Sequence, residues 1–393
     1  MGNSVIVTGT AEFLFEEREV LRTHIVLVEV RHLALPTGIR SFRLPDGRQT
    51  PTDVPVLLVR LTDTDGVHGY ALLWAQQAQQ LRLVEACLGY LAHDVTQYSL
   101  SEIPRLTKAL SVATAFLGGQ GALAFGVSGI TMALEDLVCR RRDTSLSAAI
   151  GRRRERIRAY QTGLMLHASI EELIAEADQI YRRGMRAVKM LVGKPTLDED
   201  VDRVQAVRQA LPADAVLMVD ALQRWTVPEA ICASQRFADF GLTWIEDPIA
   251  QDDTSGYRLL AQESPIPVAT GETVFAAVDF DALLAGGIHY IVGEPERIGG
   301  LCAWADVAGA VHQAGGTMLP HLYPHVSAQL GATLRQDETW IEYVPWFEPL
   351  VAEPLIPDGD GFFAVNASAG SGFTPDLDAV DALARGSWHR LND

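Results

Sequence analysis

AVLMVDA at 215–221, LTWIEDP at 242–248 and IPVATGE at 266–272 decide the fold of this chain. Each is a short run rich in Val, Ile, Leu or Trp that leads to an acid, and the acids Asp220, Glu246 and Glu272 follow one another at intervals of 26 residues. That interval is about one strand, loop and helix of an α/β barrel. In a closed parallel barrel the C-terminal ends of successive strands are neighbours, so acids placed there converge on one mouth. Three carboxylates together offer the hard oxygen donors that a divalent cation takes, and the direct reading is a magnesium site.

Reading outward from these runs, strands and helices alternate from residue 156 onward. RIRAYQTG, RAVKML, AVLMVDA, LTWIE, IPVAT, HYIVGE, GTMLPH and WIEYV are eight strand candidates, and SIEELIAEADQIYRRG, DEDVDRVQAVRQAL and VPEAICASQRFADFG are amphipathic helices between them. Eight such repeats predict a modified TIM (β/α) barrel over 156–350 rather than an open sheet. Before it, HIVLVEVRHLAL and VPVLLVRLTDTDGVHGYALLW read as long strands with a Thr-Asp-Gly turn, followed by three helical patterns, which makes 1–155 an α+β cap. A polar stretch punctuated by Pro and Gly, about 34–53, is long for a connection and is expected to form a lid over the site. The turn-rich segment 351–393 is expected to return to the cap.

Composition fits a large enzyme: 393 residues with 48% hydrophobic and 21% charged side chains fill a barrel core and cover its outside. A net charge of −18 argues against nucleic acid or an anionic membrane as partner, with GRRRERIR at 151–158 as a local exception read as an exposed domain boundary. Cys87, Cys139, Cys232 and Cys302 lack metal or disulfide spacing. Without a leader pattern or an apolar run of about 18 residues, the expectation is a cytoplasmic protein that is neither exported nor membrane-bound.

Seven motifs in one order make the chain resemble, over almost its whole length, the mandelate racemase and muconate lactonizing branch of the enolase superfamily. They are AVKMLVG, VDALQRW, WIEDP, ATGE, VGEPERIGG, MLPHLYPHVSAQL and WIEYV, each at the end of a barrel strand. The resemblance implies that Asp220, Glu246 and Glu272 hold Mg²⁺ and that His321 is the general base, a role suited to a side chain whose pKa lies near neutrality. It also implies that Glu294, where the family usually has aspartate, hydrogen-bonds and orients this histidine. His325, one turn onward, aligns less well. Members are commonly symmetric assemblies, so a homo-oligomer is expected.

Departures from the family pattern carry as much information. The usual Lys-x-Lys is Lys189-Met190-Leu191 here, so the second lysine, which faces the substrate opposite the histidine, is missing. Lys189 shares a strand face with Leu191 and is either a cation offered to an anionic substrate or a buried ion-pair partner. The usual Asp-x-Asn is Asp220-Ala221-Leu222, which leaves this wall apolar. Glu342 matches a glutamate that donates a hydrogen bond to the substrate carboxylate, which requires it to be protonated. A low-dielectric setting between Trp340 and Trp346 would raise its pKa for that purpose, and the alternative is an ionised outer carboxylate. Arg40, Phe42 and Arg43 in the lid are further candidate substrate contacts.

Three functions compete. The leading one is a Mg²⁺-dependent hydro-lyase of the acid-sugar dehydratase type. It removes the α-proton of a small hydroxy-carboxylate to a metal-stabilised enediolate and eliminates the β-hydroxyl as water, with His321 as base and acid. The second is a racemase, epimerase or rearrangement on a less polar carboxylate. The third is a non-catalytic, repurposed relative.

Overall fold

The computed structural model of the chain describes residues 22–38, 49, 52–335 and 339–392. Strands β1 (Ile25–Pro36), β2 (Asp53–Asp63) and β3 (His68–Trp74) form an antiparallel sheet. The β2–β3 turn is held by Asp63, whose Oδ1 accepts the N–H groups of Asp65 and Val67 at 3.0 and 2.9 Å, while Gly66 takes the left-handed φ of +82° the reversal needs. Most of the lid expected over about 34–53 lies outside the described residues, and the ends of that segment are strand. Leu35 pairs with Val54 and Pro36 with Asp53, because the strand pairing runs on through the apolar ends of both strands.

Both faces of this sheet are covered, which is why β2 reads as a continuous apolar run rather than an alternating one. On one face Leu57, Val59 and Leu73 pack against helices Ala78–Val95 and Ala122–Arg141 through Leu88, Ile130 and Leu134. On the other, Val54, Val56 and Leu58 pack against Leu322, Tyr323 and Val344 from the barrel mouth. Gly69 lets the helix approach: a Cβ there would lie 2.2 Å from the Ala133 carbonyl oxygen. Among the described residues one helix is long and apolar enough, by length and composition alone, to cross a membrane. It is the helix Ala122–Arg141, and its residues from Ala124 to Cys139 are all buried within the cap interface.

All eight expected barrel runs are parallel strands. They are β4 (Arg156–Gly163), β5 (Ala187–Leu191), β6 (Val216–Asp220), β7 (Leu242–Glu246), β8 (Val268–Thr270), β9 (Tyr290–Gly293), β10 (Thr317–Pro320) and β11 (Trp340–Tyr343). The hydrogen-bonded order β10-β9-β8-β7-β6-β5-β4-β11 nearly closes a barrel. Inward side chains stack in layers: Tyr160, Met218, Trp244 and Leu319 plug the centre, and the next inward positions along the same strands carry Thr162, Asp220, Glu246 and His321 toward the mouth. Capping boxes start several helices, among them Ser169 with Glu172 and Thr196 with Glu199, where the N-cap and N3 N–H groups are both satisfied.

The C-terminal segment divides between both layers rather than returning to the cap alone. Its strand β12 (Phe362–Ala364) pairs antiparallel with the start of β4, and β13 (His389–Arg390) pairs with β1. The basic cluster ties the start of the barrel to both neighbours: an Arg152 guanidinium N–H donates to the Val365 carbonyl beside β12 at 2.7 Å, and one from Arg154 donates to that of Leu334 within the barrel at 2.8 Å.

Candidate active site

Register brings the acids together. Asp220 and Glu246 are paired residues at the ends of β6 and β7, and Glu246 pairs with Ala269 of β8, three residues before Glu272. Between them lies Lys189 from β5, about 1% exposed. Its Nζ donates to Glu246 Oε1 and sits 3.4 Å from Asp220 Oδ2 and 3.1 Å from Glu342 Oε1. Burial opposes the charge on this ammonium, but Glu246, Glu342 and Asp220 raise its pKa well above the usual lysine value. Asp220 is pushed up to about 7 by burial, against the pull of Lys189, with Glu246 and Glu272 adding to the rise.

As placed, no three His, Cys, Asp or Glu side chains among the described residues form a ready cation cage. Each acid instead turns toward a protein cation, Lys189 or His321. The donor set still fits Mg²⁺: three carboxylates on adjoining strand ends, all oxygen, in a cluster with more negative charge than Lys189 alone offsets.

His321, just past β10, is buried among acids from three directions. Its Nε2 lies 3.2 Å from Glu272 Oε2 and 3.3 Å from Glu342 Oε2, and its Nδ1 lies 3.4 Å from Glu294 Oε1. Burial lowers the imidazole's pKa, but Glu342 and Glu294 outweigh it and carry it well above the usual value. The expected His321–Glu294 hydrogen bond is an ion-pair contact and not a formed hydrogen bond, since Nδ1 has no partner in bonding geometry. The reason is competition for the carboxylate: Trp74 Nε1 donates to Glu294 Oε1 at 2.8 Å and Arg297 Nε donates to Oε2 at 2.7 Å. Burial works against ionisation of Glu294, yet Arg297 and His321 hold it at about 2.

Of the two states open for Glu342, its surroundings favour the ionised one. Burial again opposes ionisation, but Lys189, His321 and the Thr162 hydroxyl, which donates to Oε1, hold its pKa at about 2. Lys189 and His321, from other strands, stand beside it and favour the carboxylate form. His325 lies away from the pocket, its Nε2 2.9 Å from the Glu353 carbonyl oxygen in a cavity between cap and tail. Arg40, Phe42 and Arg43 fall outside the described residues. Leu191 and Leu222 both line the pocket above the acids, with Met165 and Trp346.

Several contributors escaped the sequence reading. Asp247, directly after Glu246, accepts from Thr270 Oγ1 at 2.6 Å and Gln223 Nε2 at 3.1 Å, and burial together with Glu272 and Asp220 raises its pKa well above the usual value. Its signal was visible as the second acid of WIEDP. Trp74 and Arg297 were not visible as site residues, since each acts through Glu294. Backbone strain gathers at the same mouth: Leu164, Leu222, Gln223, Asp247, Leu322 and Tyr323 all have φ between +40° and +57°. Non-glycine residues take that conformation only where surrounding structure holds them, and such outliers cluster at functional sites.

The comparisons with known proteins agree with this geometry. The Enolase C-terminal domain-like family matches residues 172–379. The chain is 28% identical to L-talarate/galactarate dehydratase of Salmonella typhimurium (strain LT2), covering 89% of this chain and 88% of that protein. It is 30% identical to 3,6-anhydro-alpha-L-galactonate cycloisomerase of Streptomyces coelicolor, covering 92% and 99%. Among solved structures it resembles L-talarate dehydratase from Polaromonas sp. JS666 complexed with Mg and L-glucarate, at a TM-score of 0.84 and 29% identity over 94% of this chain and 99% of that one. With a nearly closed eight-stranded barrel, a separate antiparallel cap and these matches along its length, the chain belongs to the Enolase C-terminal domain-like family, as an enzyme of the mandelate racemase and muconate lactonizing branch of the enolase superfamily.

Proposed function

We propose that this chain is a Mg²⁺-dependent hydro-lyase that removes the α-proton of a hydroxy-carboxylate and expels the β-hydroxyl as water, with His321 as the proton-transferring group. The observation that carries this reading is the asymmetry of the pocket. An imidazole stands at the end of β10, and three strand positions round the barrel the end of β5 presents Leu191. One proton-transferring face suffices for elimination, whereas inverting a carbon needs a competent group on each face. Lys189 does not fill that role: its ammonium is paired with Glu342, which lies outside the proposed metal set, as well as with Asp220 and Glu246. The dehydratase relatives, one of them complexed with Mg and L-glucarate, support the same reaction class.

Asp220, Glu246 and Glu272 would hold Mg²⁺, whose positive charge would stabilise the substrate carboxylate as the α-proton leaves. His321 takes that proton at a ring nitrogen. On a substrate that also carries a 2-hydroxyl, the C–H electron pair becomes the C2–C3 double bond, the C3–O bond breaks, and the proton returns from His321 to the departing hydroxyl, so water and an enol result. The enol becomes a 2-keto acid. Were Glu272 engaged by the metal, His321 would lose one of the three acids that favour its protonated form, which favours the neutral imidazole a base needs. Arg297 and Trp74 fix Glu294 beside Nδ1, and Glu294 orients the ring.

The test is metal removal. EDTA-stripped protein should lose water elimination on hydroxy-carboxylates and regain it with Mg²⁺, and Mg²⁺ should raise the melting temperature of the wild type. In Glu272→Gln, a part-exposed site whose loss spares the Lys189 ion pairs, Mg²⁺ should do neither. Full turnover without a divalent cation would exclude this reading.

A further inference from the structure

We propose that the carbon chain of the substrate beyond its β-carbon is apolar, so that the site takes a 2,3-dihydroxycarboxylate bearing a branched alkyl or aryl group and disfavours polyhydroxylated sugar acids. This rests on the elimination reading for the reacting end of the molecule and adds the identity of the other end.

The pocket, about 950 Å³ counted to its open mouth, divides into two chemistries. Its floor is ionic: Lys189, Asp220, Glu272, His321 and Glu342 surround the place where a carboxylate and the carbons next to it must lie. Its wall is apolar. Met165 and Leu191 belong to one hydrophobic cluster against which Leu222 and Trp346 pack, and Leu322 and Val344 continue it. Across from them the cap contributes Val54, Pro55 and Trp74. Trp74 offers this space ring carbons only, because its one N–H donates to Glu294 at 2.8 Å. Among the described residues the remaining polar side chains of the pocket are Thr162, whose hydroxyl donates to Glu342, and Thr37 and Gln76, with the Thr37 hydroxyl already donating to the Thr52 carbonyl at 2.9 Å.

A sugar acid carries a hydroxyl on each carbon beyond the reacting pair. Each one set against these apolar side chains gives up water without a partner among them, which weakens binding by about 5- to 150-fold per hydroxyl. An alkyl or aryl group in the same place gains from burial. The wall is also built at a conformational cost. Leu222 and Leu322 present their side chains to the pocket from left-handed backbone, at φ +49° and +50°, a region bulky residues avoid. The Leu222 N–H donates to Asp220 Oδ1 at 2.8 Å, so the turn that places the leucine also orients the acid.

The experiment measures binding apart from turnover, by titrating tryptophan emission of the Mg²⁺-loaded protein, with Trp74 and Trp346 in the wall as reporters. The probes are 2-hydroxy-4-methylpentanoate and 2-hydroxy-3-phenylpropanoate, which lack a β-hydroxyl to lose, against gluconate and galactarate. The apolar acids should bind at least about tenfold more tightly, and Leu222→Asn should shrink that gap; Leu191→Ser serves as an independent second variant. Sugar acids that bind as tightly or more tightly, or no binding by either class, would overturn the proposal. A turnover arm compares 2,3-dihydroxy-4-methylpentanoate with gluconate for 2-keto acid formation. If the apolar acids bind but no dihydroxy acid loses water, the elimination reading fails and the apolar tail stands. If gluconate binds and eliminates preferentially, elimination stands and the apolar tail fails.

Discussion

His321 is surrounded by Glu272, Glu294 and Glu342, each carried by a different strand end, and no neighbour in sequence does the same work. Replacing it with asparagine keeps a polar group of similar size but removes the proton carrier. His321→Asn should therefore lower kcat by about 10²- to 10⁴-fold while leaving substrate binding within a few fold, measured as separate kcat and KM values. Retained full activity would move the base elsewhere. The metal-binding candidates were legible in the sequence because each closes an apolar run at a fixed period. The charge state of Glu342 was not. Trp340 and Trp346 suggested an apolar setting, but Lys189 from β5 and His321 from β10 stand beside the carboxylate, and only the closed barrel brings them there. The His321–Glu294 contact went the same way, since Trp74 of the cap and Arg297 take the bonding positions.

Strands and helices were legible wherever local pattern and tertiary demand agree. The eight barrel strands follow from apolar runs of the right length, and the helix starts from Ser or Thr three residues before Glu. In the box at Thr196, the Glu199 N–H donates to the threonine Oγ1 at 3.4 Å and the Thr196 N–H donates to Glu199 Oε2 at 3.2 Å. Thr196→Ala should destabilise the protein by about 1 kcal/mol, read by denaturant titration, without changing turnover. Elements defined by distant partners were not legible. β12 and β13 are short and acquire their meaning only from the exposed edges of β4 and β1. The left-handed backbone at Leu222 and Leu322 has no sequence signal either, because leucine is a poor candidate for it.

Cap and barrel are joined by a buried carboxyl. Glu135, in the central cap helix, accepts the N–H groups of Leu301 at 2.7 Å and Cys302 at 3.0 Å, at the start of the barrel helix Leu301–Gln313. Burial raises its pKa to about 7, with the two N–H donors pulling the other way. The folded value lies above the unfolded one, about 4.5, so the folded state binds this proton more strongly. The resulting stability is fully present below pH 4.5 and is lost as pH rises through about 7. Glu135→Gln cannot ionise, so the melting temperature of the wild type relative to this variant should fall between about pH 5 and 8. A pH-independent difference would place the proton elsewhere.

The central claim for the whole molecule is one-sided proton transfer from His321 followed by loss of water. Its most direct measurement is NMR of a hydroxy-carboxylate incubated in D₂O with the Mg²⁺-loaded enzyme. The prediction is a 2-keto acid carrying solvent deuterium at C3, unreacted substrate of unchanged configuration at C2, and neither product nor exchange with His321→Asn. Accumulation of the C2 epimer with deuterium at C2 and no loss of water would contradict it.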